Sequence, residues 1–504
     1  MKTTKKILSI FLAVLMLLSV SSVAFAAESV KRDLPVVHVP GFYSSDIYAD
    51  VNDHETLIDM PGTDEILELV KKDVVPALIT FCADRNTDKL ATTISSKVNG
   101  LFADWFYESN GEAQENSGVD FDLTPEKVTA TSKLVFRYDW RGDLMDAADK
   151  LNIYINNAID RTGCDKVALT AHSLGSSVII AYISKYGNSK IDSILFDSPA
   201  CEGVAVVGNL LTGKVTLDAE AIAYFLKTSL GESEYDRLLV SLVDIFDMAE
   251  IPELFTLFID EIIEALAPAV YKETVAPLFG YWPAMWAMVS DDQIDEAMAY
   301  IFDDILKDQD TSALQAKIIA YNDAVRGANR ETFLRDFDEK GNFTILCRYG
   351  SPAFPLTDAS DLTGDTVIET KSSSLGATTA PIGDYFSDSE IAGVDAAYIS
   401  PDRTINASTC MFPEKTWFIK NSGHFENHYT DDYYDFFLFA DEEITCDMTE
   451  FGRFCTIDRE AEILVKDTSE PEKAEELTPM RRLFNFLIAL FKPLADLFSK
   501  IFNK

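Results

Sequence analysis

The chain has 504 residues, with 43 Lys and Arg against 83 Asp and Glu, a formal charge of −40 at pH 7. An apolar fraction of 47% is enough for a packed core and excludes a disordered chain. The acid surplus opposes binding of the bulk of the protein to nucleic acid or anionic surfaces.

The chain opens as an export signal. Lys2, Lys5 and Lys6 form a charged start, Ile7 to Val23 an apolar stretch, and Ala24-Phe25-Ala26 a small-residue cleavage site. Residues 1–26 are therefore read as a signal peptide of a secreted or cell-surface protein; an uncleaved anchor is the alternative. No Cys lies at the junction, which argues against a lipoprotein.

From there, short apolar runs alternate with helical stretches, the pattern of a mostly parallel sheet covered by helices on both faces. Strands are expected at Leu34 to Val39, Lys133 to Tyr138, Lys166 to Thr170, Lys190 to Phe196, Phe343 to Arg348 and Thr416 to Lys420. A helix is expected over Asp146 to Ala158, where Ala147, Leu151, Ile155 and Ala158 recur at helical spacing. The first core part, 27–200, carries an insertion at 44–131 with helix-like pieces such as Thr63 to Ile79, then a polar loop from Glu108 to Asp120.

Between 201 and 340 the strand rhythm stops, and the block reads as a helical cap. Its aromatic stretch Phe279-Gly280-Tyr281-Trp282-Pro283-Ala284-Met285-Trp286 reads as core before cleft lining, because large aromatic side chains favour burial. The second core part covers 341–466, followed by a charged, Pro-containing linker at 467–479. In the tail, 480–504, five basic residues face one acid, Asp496, among many Leu, Ile and Phe. That pattern suits a basic amphipathic helix at a membrane interface, or equally one docked on the acidic domain. The seven cysteines, Cys82, Cys164, Cys201, Cys347, Cys410, Cys446 and Cys455, are sparse and odd in number, so mostly buried thiols are expected, with a local Cys446–Cys455 bridge left open.

The chemistry centres on Ala171-His172-Ser173-Leu174-Gly175, between an expected strand and the helix-like Ser176 to Tyr186. Strand, tight turn, helix is the setting of a nucleophile elbow in an α/β-hydrolase fold, where small flanking residues let strand and helix approach and Ser173 projects its hydroxyl. Ala171 stands where Gly is commoner. Pro40-Gly41-Phe42 after the first strand offers a turn that aims a backbone N–H at a developing oxyanion, with Phe42 and Leu174 as donors. In this fold the order is nucleophile, acid, base. Asp365, in Gly364-Asp365-Thr366-Val367, fits the acid, with Asp358, Asp361 and Asp197 as rivals. Of five histidines only His424 and His428 follow the last expected strand, and His424 in its loop fits the base, with His428 in reserve. A metal site from His424, Glu426 and His428 lacks further ligands.

Tyr138-Asp139-Trp140-Arg141, Ala171-His172-Ser173-Leu174-Gly175, the Trp282-Pro283 segment and Gly364-Asp365-Thr366-Val367 together resemble lecithin:cholesterol acyltransferase-like lipases and their bacterial α/β-hydrolase relatives. The resemblance covers about Leu34 to Phe42, Leu134 to Ser198 and Asn342 to Tyr429 in pieces. It implies Ser173, Asp365 and His424 as a triad, a cap over an acyl-binding cleft, an acyl ester or lipid substrate, and no metal or organic cofactor. An acyltransferase, thioesterase or peptidase on the same residues, or a non-catalytic surface-binding module, are the rival expectations.

Overall fold

The computed structural model describes residues 33–471 except 53, 55–56, 59–68, 70–71, 74, 125–127, 216–268, 340–341, 354–362, 382, 427–430 and 440–443. The expected signal peptide, the middle of the cap, Asp358, Asp361, His428 and the basic tail lie outside the described residues, as does the Cys82 side chain.

All six expected strands are present: β1 (Val36–Val39), β2 (Lys133–Val135), β3 (Val167–His172), β4 (Ile191–Asp197), β5 (Asn342–Tyr349) and β6 (Thr416–Lys420). Two more, β7 (Phe454–Asp458) and β8 (Ile463–Lys466), extend the sheet where none was expected. The order is β8-β7-β6-β5-β4-β3-β1-β2. Every pairing is parallel except β7 with β8. The result is an α/β fold with an eight-stranded, mostly parallel sheet.

Alternation along the strands explains why both faces are covered. In β3, Val167, Leu169 and Ala171 join one large apolar cluster, while Ala168 joins another on the opposite face with Val36, Leu195, Leu346, Trp417 and Ile419. Helix α1 (Leu144–Thr162) covers the first face. Asp143 caps it by accepting the Met145 N–H at 2.8 Å, Gly163 ends it at φ 71°, and Ala147, Leu151, Tyr154, Ile155 and Ala158 are buried beneath it. Burying each Leu or Ile of such a stripe is worth about 1.5–3 kcal/mol. Helix α2 (Gly175–Tyr186) packs beside α1, and α5 (Asp431–Leu438) covers the second face through Phe437 and Leu438.

Contacts cross two of the expected boundaries. Helices α3 (Ser312–Val325) and α4 (Ala328–Asp338), counted with the cap, pack on α2, and α4 also on β5. Asp467, counted with the linker, is buried: its N–H donates to Phe454 O at 3.0 Å and its carboxylate accepts from Tyr349. Trp282 and Trp286 are core residues, each 1% exposed, with their indole N–H groups donating to Trp105 O and Gly280 O. The six described cysteines are free thiols, Cys446 and Cys455 included, and all but Cys164 are buried.

The tightest packing lies where α2 starts. A Cβ on Gly175 would stand 2.0 Å from Val39 O and 2.9 Å from Pro40 O, both main chain, so the helix reaches β1 only because this residue has no side chain. Gly100, in a surface helix (Thr87–Leu101), meets nothing within 4 Å. Gly175→Ala should therefore destabilise by at least about 1–3 kcal/mol, and Gly100→Ala should stabilise by about 0.5–1 kcal/mol. Urea unfolding midpoints check both signs.

Candidate active site

β1, β3, β4, β5 and β6 run parallel, so their carboxyl ends meet at one edge of the sheet, and each is followed there by one of the residues singled out from the sequence. β3 ends at His172, and Ser173 takes φ 54°, a left-handed conformation that a non-glycine residue adopts only under constraint. The constraint is visible. Ser173 N–H donates to Asp197 O at 3.1 Å, and Ser173 O accepts from the Ser176 hydroxyl at 2.7 Å, from Ser176 N–H at 3.1 Å and from Ala200 N–H at 3.1 Å. Ser173 is 4% exposed, and its hydroxyl forms no hydrogen bond with any described residue.

The turn after β1 lies against this bend. A Cβ on Gly41 would be 2.7 Å from the Ser173 Cβ, so Pro40-Gly41-Phe42 passes directly over the serine. Among the described residues neither Phe42 N–H nor Leu174 N–H donates to a backbone acceptor, and Leu174 is the N-cap of α2, where the helix dipole favours negative charge. The Phe42 ring is wedged on Trp140 at 4.3 Å between centroids and on Trp282 at 6.2 Å, which fixes the turn to the packed aromatic core. Next to it Tyr43 is 41% exposed.

Asp365 lies in a turn beyond β5, tied back to the sheet by pairing of Ser351–Pro352 with Thr363–Gly364. A Cβ on Gly364 would fall 2.3 Å from Ile368 O, so only glycine lets the turn close. One carboxylate oxygen accepts the N–H groups of Val367 (3.1 Å) and Ile368 (2.8 Å), and the other accepts His424 Nδ1 at 2.7 Å. The main chains join too, His424 N–H donating to Asp365 O at 2.6 Å. Burial by itself would raise the Asp365 pKa, but His424 and the two N–H donors hold it below the ordinary carboxylate value. With Nδ1 directed at the carboxylate, the imidazole leaves Nε2 as an acceptor. Phe425, which follows, is 72% exposed and meets the His424 ring edge-on at 5.1 Å.

Asp197, the rival acid, points elsewhere. It forms a buried bidentate pair with Arg348, Nε–Oδ1 2.8 Å and Nη2–Oδ2 2.6 Å, and accepts the Tyr434 hydroxyl. Two participants carried no role in the sequence reading. Arg348 is one; its signal was a lone cation closing an otherwise apolar strand. His172 is the other, its Nε2 donating to His424 O at 3.0 Å and its ring 4.5 Å from that of His424. Among the described residues no cluster of His, Cys, Asp or Glu is arranged to hold a metal ion.

No protein-family model and no curated protein matches this chain. Solved structures give distant likenesses. The Tle4-Tli4 complex aligns over 68% of this chain and 88% of that one, at 12% identity and a TM-score of 0.27. A point mutant of the meta-cleavage product hydrolase CumD of Pseudomonas fluorescens IP01, complexed with acetates, aligns over 68% and 78%, at 12% identity and 0.20. Neither likeness is strong enough to bear on chemistry.

Desolvation first, and the neighbouring His424 second, push the His172 imidazole down to about 3. An unfolded His takes its proton near about 6.5. Between those values the unfolded chain binds the extra proton, so this residue makes stability fall as pH drops from about 6.5 toward 3. Asp365, depressed instead of raised, adds its own loss only as pH falls below about 4. His172→Gln, which keeps a donor for His424 O, should shrink the difference between urea midpoints measured at pH 7 and pH 5. An unchanged difference would contradict the assignment.

Proposed function

We propose that the protein is a secreted serine hydrolase of the α/β-hydrolase class that cleaves carboxylic acyl esters, lipids among them, with Ser173 as nucleophile, His424 as base and Asp365 as its orienting acid. The observation that carries this reading is the buried Asp365–His424 hydrogen bond at the same sheet edge as the left-handed Ser173 turn. A strained serine and an imidazole whose tautomer is fixed by a buried carboxylate are what acyl transfer requires, and neither is needed to stabilise a sheet.

In the proposed cycle His424 Nε2 removes the Ser173 proton as the oxygen attacks the ester carbonyl, and the contact between them closes when substrate binds. Asp365 stabilises the imidazolium. Phe42 N–H and Leu174 N–H receive the oxyanion, each worth about 3–4 kcal/mol to the transition state. The imidazolium then protonates the leaving alcohol. Water, deprotonated in turn by His424, attacks the acyl-enzyme, and as the acid leaves His424 returns that proton to the Ser173 oxygen. None of these steps calls for a metal or organic cofactor.

An apolar substrate is favoured by the two aromatic side chains left exposed beside the reacting groups, Tyr43 on the oxyanion turn and Phe425 on the base loop. Apolar surface of that kind at the mouth of a site suits an acyl chain better than a charged leaving group. The cap would cover that chain, and the 480–504 tail would hold the enzyme at a membrane interface.

A fluorophosphonate probe tests the central claim: the full chain should label, Ser173→Ala should not, and Ser173-independent labelling or none at all in folded protein would sink it. Asp365→Asn should lower kcat about 10⁴-fold, through the wrong imidazole tautomer. Phe425→Ala should raise KM for octanoyl and longer p-nitrophenyl esters by about threefold or more, the cost of losing part of one apolar contact, with the acetate ester unaffected.

A further inference from the structure

We propose that Arg348, locked by Asp197, is the positioning residue of the base: it sets where the His424 imidazole stands by gripping the main chain of the His424 loop. The inference rests on the serine-hydrolase reading and adds to it a residue without contact to substrate.

Arg348 is 2% and Asp197 1% exposed; Arg348 is the last residue but one of β5 and Asp197 the last of β4, and the two strands are hydrogen-bonded neighbours. The carboxylate holds Nε and Nη2 of the guanidinium in a two-point contact, which orients the plane of the fork. Burial opposes ionisation of Asp197, yet Arg348 holds it below the ordinary carboxylate value, so the pair is charged. With one end fixed, Nη1 is aimed across the sheet edge at three carbonyls of the loop after β6: Gly423 O at 3.0 Å, His424 O at 3.4 Å and Glu426 O at 2.5 Å. His424 O also takes the His172 Nε2 hydrogen bond at 3.0 Å.

A loop needs no buried ion pair merely to be held. Desolvating two charges costs several kcal/mol, and an apolar pair of similar volume serves stability equally well or better. What the pair supplies is direction: a rigid fork whose far donors point at the carbonyls flanking one side chain. The His424 side chain is fixed at its far end by Asp365, while Arg348 and His172 fix the carbonyl of the same residue. The imidazole is thus placed from both ends, and it cannot swing without breaking one set.

The test uses the full chain and a short ester, p-nitrophenyl butyrate, with wild type, Ser173→Ala, Arg348→Lys, Arg348→Met and the double variant Asp197→Leu/Arg348→Met. The double variant removes both buried charges together and so keeps the test open where Arg348→Met alone fails to fold. The expected result is a fall in kcat of about a hundredfold, the scale of an ångström of misplacement, for the double variant and for Arg348→Met where it folds. KM should stay within about threefold and the rate of fluorophosphonate labelling should fall with kcat. Arg348→Lys, which keeps the charge with one nitrogen in place of three, should lie between. Wild-type kcat and labelling in a folded double variant would overturn the proposal, as would activity that falls only in proportion to the fraction unfolded. Absence of Ser173-dependent labelling in the wild type is a separate result that removes the serine-hydrolase reading itself.

Discussion

Everything at the sheet edge depends on how closely α2 approaches β1. With no Cβ at Gly175 the helix starts in contact with the Val39 carbonyl, and only two residues, Ser173 and Leu174, turn the chain from β3 into α2. Ser173 takes the left-handed bend. A bulkier side chain at 175 would push the helix out, relax the bend and turn the hydroxyl back into the fold. The same closeness places Gly41 over the serine, and through Phe42 connects the turn after β1 to the Trp140 and Trp282 rings. Strain of about 1–3 kcal/mol at such a residue persists only where the surroundings over-determine it. Here four backbone and side-chain hydrogen bonds at Ser173 do so.

The loops of Asp365 and His424 are held by a different means. Each is fixed by polar groups that would be costly to bury unpaired: Asp365 by two N–H groups and an imidazole, the His424 loop by Arg348 and His172. Packing positions Ser173, and hydrogen bonding positions Asp365 and His424. The division follows from chain geometry. A bend between strand and helix has rigid elements on both sides, whereas a long connection after a strand must draw its rigidity from contacts with its neighbours.

The strands and helices that build this edge were legible in the sequence because buried parallel strands are continuous apolar runs and the covering helices are amphipathic. β7 and β8 were not, since Phe454–Asp458 and Ile463–Lys466 are short, half-exposed strands at one side of the sheet whose Thr, Asp and Lys side chains dilute the signal. Ser173 and His424 stood out by motif and chain order. Asp365 had equals nearby, and what separates it is Gly364, whose need for a bare backbone is a tertiary fact. The Asp197–Arg348 pair was illegible for the same reason: 151 residues separate its members, and only strand adjacency shows that two charges ending different strands face each other. Similarly, α3 and α4 carry apolar stripes like those of any cap helix, and nothing local records that they pack on α2.

The route of the chain between β4 and β5 has an evolutionary consequence. Residues 198–341 leave the sheet at Asp197 and return at Asn342, in a strand paired with β4 through Ser193 and Asn342. The entropy of closing such an excursion grows only logarithmically with its length. A change of length in its central part therefore adds little closure entropy and shifts no register among the strands that lead to Ser173, Asp365 and His424. By that measure the excursion can diverge in length while the sheet edge stays constant. Distant relatives of this chain should accordingly differ most between these two strands.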